Sequence, residues 1–138
     1  MAGNADRLDR PFPHGKHILV WQTGQVNIEA SKTDHVWDVS YVQYAFRPTH
    51  FEICSQTVAI TNAITIDIAD NEGTPNVIVD NEALAAVTAG ASTAPIQGTI
   101  DDRGLVLYGA VLIARYTSGA SDTSVGTRVR LWGIPEYA

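Results

Sequence analysis

Chemistry in a protein needs particular residue types at workable spacings, and the first candidates are two imidazoles. His14 and His17 stand three positions apart and could supply half of a zinc or copper site, but four ligands are not visible. Asp67, Asp70, Asn71 and Glu72 form one oxygen-rich cluster, and Asp80, Asn81 and Glu82 form another. Calcium sites are built from such groups. An EF-hand, however, requires a bidentate acid at the twelfth position, and counting from Asp67 places Ile78 there. Turn and capping roles explain the same acids and amides equally well. Cys54 lies in an apolar pattern, where a lone cysteine is more often a small buried hydrophobe than a nucleophile. Asp101 and Asp102 are adjacent, which on a strand sends them to opposite faces, and beside Gly104 they read as a turn. No nucleophile elbow, phosphate loop or dinucleotide-binding glycine motif occurs. The expectation is therefore a non-enzymatic protein with no catalytic residues, no cofactor and no metal.

The aromatic residues are the stronger lead. Trp21, Trp37 and Trp132, with Tyr41 and Tyr44, could line a platform for sugar rings, which stack on aromatic faces. In a small β-domain such residues are more often core and interface anchors, so the three tryptophans are the candidate interface residues.

The elements that would position these residues belong to one domain of 138 residues, 45% hydrophobic and 17% charged. That length buries a real core without disulfide or metal staples, and the single cysteine could not form an internal bridge. The formal charge of −6 argues against a nucleic-acid partner, which would call for clustered Lys and Arg. The acidity is concentrated: residues 67–103 hold seven acids against Arg103 alone. The longest strongly apolar run, residues 105–114, is half of what a bilayer-spanning helix needs, so no membrane partner is expected. Residues 1–10 carry charge and no apolar core of a secretory signal, which suggests a reducing compartment.

Residues 1–16 mix charge with Pro11, Pro13 and Gly15 and read as an extended arm ahead of a single β-sandwich domain over 17–138. Strands are expected over 17–21 and 25–30, then over 35–46 until Pro48, and over 51–60. Residues 64–68 alternate most cleanly, with Ile64, Ile66 and Ile68 on one side and Thr65 and Asp67 on the other. A polar turn then leads to a partner strand at 77–79. Residues 82–87 are strong helix formers behind a plausible N-cap and suggest one short helix, followed by a surface loop over 88–98. Residues 105–116 read as a long strand buried on both faces, 117–126 as a loop, and 127–132 as a last alternating strand before residues 133–135 stop the pairing. The expected core comprises Ile64, Ile66, Ile68, Leu107, Val111, Ile113, Val129 and Leu131. Short strands separated by turn residues point to an all-β fold, an antiparallel sandwich of jelly-roll-like or β-tulip-like kind.

The order of features over residues 60–135 resembles the head-decoration, or cement, proteins of tailed bacteriophages. The features are the isoleucine strand at 64–68, the strand at 77–79, the Ala-rich turn, the Thr/Ala/Gly/Ser loop, residues 98–103, the long strand and residues 128–135. The resemblance implies a virion structural protein on the capsid exterior, assembled in the bacterial cytoplasm, with the major capsid protein as partner and a homotrimer as the assembled form. A phage tail or fibre module that binds carbohydrate is the alternative.

Overall fold

A computed structural model of the chain describes residues 18–71, 77–86, 96–100, 106 and 109–136. The arm at 1–16, with His14, lies outside the described residues, as do His17, Glu72, Asp101, Asp102 and Leu107. The rest is all-β and antiparallel. Ten strands run β1 (Ile18–Gln22), β2 (Lys32–Tyr41), β3 (Phe46–Cys54), β4 (Thr57–Ala59), β5 (Ile64–Asp70), β6 (Val77–Ala83), β7 (Ile96–Thr99), β8 (Val111–Ser118), β9 (Thr123–Val125) and β10 (Arg128–Pro135). They form one four-stranded sheet in the order β1-β10-β3-β7, a second in the order β2-β8-β5-β6, and a two-stranded ribbon of β4 and β9.

Period-two patterning explains which faces are buried. In β5 the side chains of Ile64, Ile66 and Ile68 are fully buried, while Thr65 and Asp67 face outward. Across the core, Val129 and Leu131 of β10 and Phe51 and Ile53 of β3 project from the first sheet into the same cluster. Burial of this two-sided apolar set is the main force holding the sheets together, at about 25 cal/mol for each Å² removed from water.

Several expectations are corrected by the ladder. Val111 and Ile113 are not core residues: β8 turns Leu112, Ala114 and Tyr116 inward and leaves Val111 and Ile113 half-exposed on its outer face. Residues 111–114 are apolar in both phases, so alternation there carries no sign, and the fully buried Tyr116 between Arg115 and Thr117 sets it. The short helix at 82–87 is absent among the described residues. Glu82 and Ala83 pair with Ile66 and Thr65, and the Leu84 N–H donates to the Ile64 carbonyl. Helix propensity amounts to a few tenths of a kcal/mol per residue and yields to burial of Ile78, Val79 and Leu84 in a ladder with β5 that continues through two register shifts.

Pro48 does not end the preceding strand; the break is at residues 42–45, and Pro48 lies within β3. It sits opposite Gly133, where the pairing with β10 slips by one residue, and such an irregularity tolerates a missing donor. Gly133 is required there, since a Cβ would collide with the Arg47 carbonyl oxygen. Pairing therefore continues through Pro135 instead of stopping at 133. Residues 51–60 are split between β3 and β4, and the loop at 117–126 contains β9. Residues 25–30 keep their alternation, with Ile28 buried and Asn27 and Glu29 exposed, but join only through a bridge from Val26 to Thr127 and backbone bonds between Ile28 and Ser124.

Candidate functional site

The three tryptophans do not form one platform. Trp21 lies opposite Leu131, whose side chain is buried, and packs against the core. Its indole Nε1 donates to Ser40 Oγ at 3.0 Å, reaching from β1 in the first sheet to β2 in the second. Trp37 also packs on the core, tilts against the Tyr116 ring with centroids 5.9 Å apart, and donates Nε1 to the Gly24 carbonyl at 3.2 Å. A third link runs from the Gly24 N–H to Asp38 Oδ2 at 2.8 Å. β1 and β2 belong to different sheets, so these side chains lace the two sheets along that side. Both indole donors are thereby occupied, which is what partly buried tryptophan needs.

Trp132 is placed differently. In β10 the residues Val129, Leu131, Gly133 and Pro135 turn inward, which sends Arg128, Arg130, Trp132 and Ile134 to the outside of the first sheet. Trp132 stands there between Leu19 of β1 and His50 of β3. Further along, Arg130 donates to Glu52 Oε1 at 3.0 Å, and Arg128 faces Cys54. Among the described residues, the buried Arg128 Nε has no acceptor. Cys54 is thus a half-exposed outward residue and not a core one; burial and then the neighbouring Glu52 carboxylate push its thiol up, away from the reactive thiolate.

The outside of the second sheet presents another surface. The register aligns Val39, Ile113, Ala69 and Val77 in one row across β2, β8, β5 and β6. Tyr41 and Val111 form the next rung, and Val36 and Arg115 flank the row on its other side. Val39 is 59% and Tyr41 68% exposed, whereas Ile113 and Val77 are half-buried and Ala69 is buried, so the row is open to water at its β2 end. Its border is acidic. Asp34, Asp67 and Arg115, with Ala69 and Val77, line a shallow depression of about 240 Å³. Asp67 Oδ1 accepts from the Asn81 N–H at 2.8 Å, and burial pushes its carboxyl up against that bond. Asn81 and Asp34 both hold left-handed backbone (φ 46° and 45°), a conformation Asn and Asp adopt more readily than most residues.

A residue that the sequence did not single out turns out to organise a corner of the fold. The buried Asp122 carboxylate accepts from the Thr61, Asn62 and Ala63 N–H groups through distances of 2.5, 3.0 and 2.9 Å, and from the Gly119 N–H at 2.9 Å. Those four donors hold its carboxyl down at about 2. It clamps the turn before β5 to the turn after β8, and a Cβ on Gly119 would strike its Oδ2. In a Gly/Ser/Thr-rich loop this aspartate has no distinguishing sequence signal.

The two oxygen-rich clusters meet where β5 pairs with β6: Asp67 accepts from the Asn81 N–H beside the exposed Asp80, while Asp70 is buried at the end of β5. Among the described residues no group of three or more His, Cys, Asp and Glu side chains could hold a metal ion. No family model, no curated protein and no solved structure matches the chain.

Proposed function

We propose that this protein is a non-enzymatic virion structural protein, a decoration or cement protein that binds the outside of a tailed-phage capsid through contact with the major capsid protein and stabilises the shell. The observation that carries the reading is the exposed apolar patch of Val36, Val39 and Tyr41 on β2, continued across the second sheet by the half-buried Ile113 and Val77. Contiguous apolar area rimmed by polar residues is the usual mark of a protein-protein contact surface. Shell reinforcement requires a rigid body with such a face, and many copies on a lattice turn weak contacts into tight attachment. The acidic border around the row adds register and specificity more than affinity.

The test is co-sedimentation of the full chain with empty tailed-phage shells that lack a decoration layer, in parallel with polysaccharide. Saturable pelleting with shells and none with polysaccharide is expected. Saturable glycan binding without shell binding would overturn the reading in favour of a tail or fibre carbohydrate-binding module.

A further inference from the structure

The two outer faces of the sandwich are opposite in electrostatic character, and both are partly apolar. On the second sheet, Val36, Val39 and Tyr41 are 42%, 59% and 68% exposed, and Asp34, Asp67 and Asp80 cluster at one side against Arg115. On the first sheet, Leu19 and Ile134 are 36% and 39% exposed around the half-buried Trp132, and Arg128 and Arg130 continue the outward row of β10 beside Glu52. One face is therefore apolar and acidic; the other is apolar and aromatic, and because Glu52 pairs with Arg130 and Glu136 with Arg47, Arg128 gives it its excess positive charge. The sequence carries the ingredients at distant places, acids in 67–103 and arginines in 128–130, and the fold sorts them to opposite sides.

We propose that a second copy of this chain is the occupant of the acidic apolar face, docking by its basic aromatic face in a head-to-tail contact. Two acidic faces would bring carboxylate against carboxylate, whereas unlike faces bring Asp34 and Asp67 toward Arg128 while Val39 and Tyr41 cover Trp132 and Leu19. The buried Arg128 Nε, without an acceptor among the described residues, belongs to the face that would receive those carboxylates. Aromatic and arginine side chains at the centre of a patch are the types that dominate contact energies. Such a contact is heterologous: it leaves one unlike face free at each end, and closes into a ring, three-fold included, only where the rotation between copies allows. The capsid reading uses the same acidic face, so at any one copy the two contacts exclude each other, and only the end copy of an open stack keeps that face free for a shell; self-association is nonetheless a separate claim, because it holds or fails with no shell present.

The experiment is sedimentation velocity of the full chain over a range of concentration and salt, with two variants. Val39→Asp damages only the acidic face at a position 59% exposed, and Arg128→Glu damages only the basic face. Each variant alone should self-associate about thirtyfold more weakly than the native chain, the loss expected at a contact centre. Mixed together they should form a one-to-one complex, because each retains the face its partner needs. Tyr41→Ser and Leu19→Asp repeat the design on the same two faces in case Arg128→Glu unfolds, and circular dichroism checks the fold of all four. A native chain that stays monomeric at tens of micromolar overturns the proposal. So does Arg128→Glu with Leu19→Asp associating as well as the native chain, the result expected of a contact between like acidic faces.

Discussion

Replacing Ile66 and Ile113 by alanine, one at a time, removes the same atoms from two positions that differ in the direction they face. Ile66 is fully buried in β5 opposite the equally buried Tyr116, whereas Ile113 stands half-exposed on the outer face of β8. For Ile66 the lost transfer energy and the residual cavity together should cost about 3 to 4 kcal/mol. For Ile113 only part of the side chain was out of water and no closed cavity remains, so about 1 kcal/mol is expected. With an unfolding entropy of roughly 2.1 cal/mol/K per residue, a 138-residue domain loses about 10 to 14 °C in Tm for Ile66→Ala. Ile113→Ala should lose about 3 °C on the same scale. Urea unfolding followed by tryptophan fluorescence measures both, and an unchanged m-value would assign the change to the native state. Equal losses, or a larger one for Ile113→Ala, would refute the inward phase assigned to β8.

Other perturbations probe the remaining features. The Asp122 carboxyl is depressed from 3.8 to about 2, so its contribution to stability is full above the ordinary carboxylate range and is lost as pH falls from about 4 toward 2. Asp122→Asn should lower Tm at neutral pH and flatten that acid limb in a pH series of thermal melts; an unchanged limb would assign the acid sensitivity to other groups. Trp21→Phe keeps an aromatic ring but loses the bond to Ser40 and the smaller ring of the indole, and should cost about 1 to 2 kcal/mol in urea unfolding. Gly133→Ala forces a methyl toward the Arg47 carbonyl at the slip between β3 and β10, and about 1 to 3 kcal/mol should be lost in the same assay.

What the sequence discloses depends on whether the pattern has a sign. In residues 64–68 the isoleucines alternate with Thr65 and Asp67, so the strand and its buried face are both legible, and the structure agrees. In residues 111–114 both phases are apolar, and the sign comes only from farther along the strand, where Tyr116 is buried between Arg115 and Thr117. Residues 82 and 83 favour helix locally and are overruled by pairing with residues 66 and 65, a partner sixteen or more positions away. Asp122 looks like any loop aspartate until the turn at residues 61–63 folds over it. The apolar row was equally hidden, because Val39, Ile113, Ala69 and Val77 become neighbours only through register. The tryptophans were recognisable as anchors, but their division between sheet-lacing Trp21 and Trp37 and outward Trp132 needed the pairing of β1 with β10 and of β2 with β8.

The central claim, that the acidic apolar face of this protein serves shell reinforcement, is tested most directly by the temperature at which phage shells break. Shells stripped of the protein should open at milder heat than decorated ones, adding the native chain should restore the higher temperature, and folded Val39→Asp should fail to restore it. A breaking temperature unaffected by adding the native chain, or restored equally by Val39→Asp, would contradict the account.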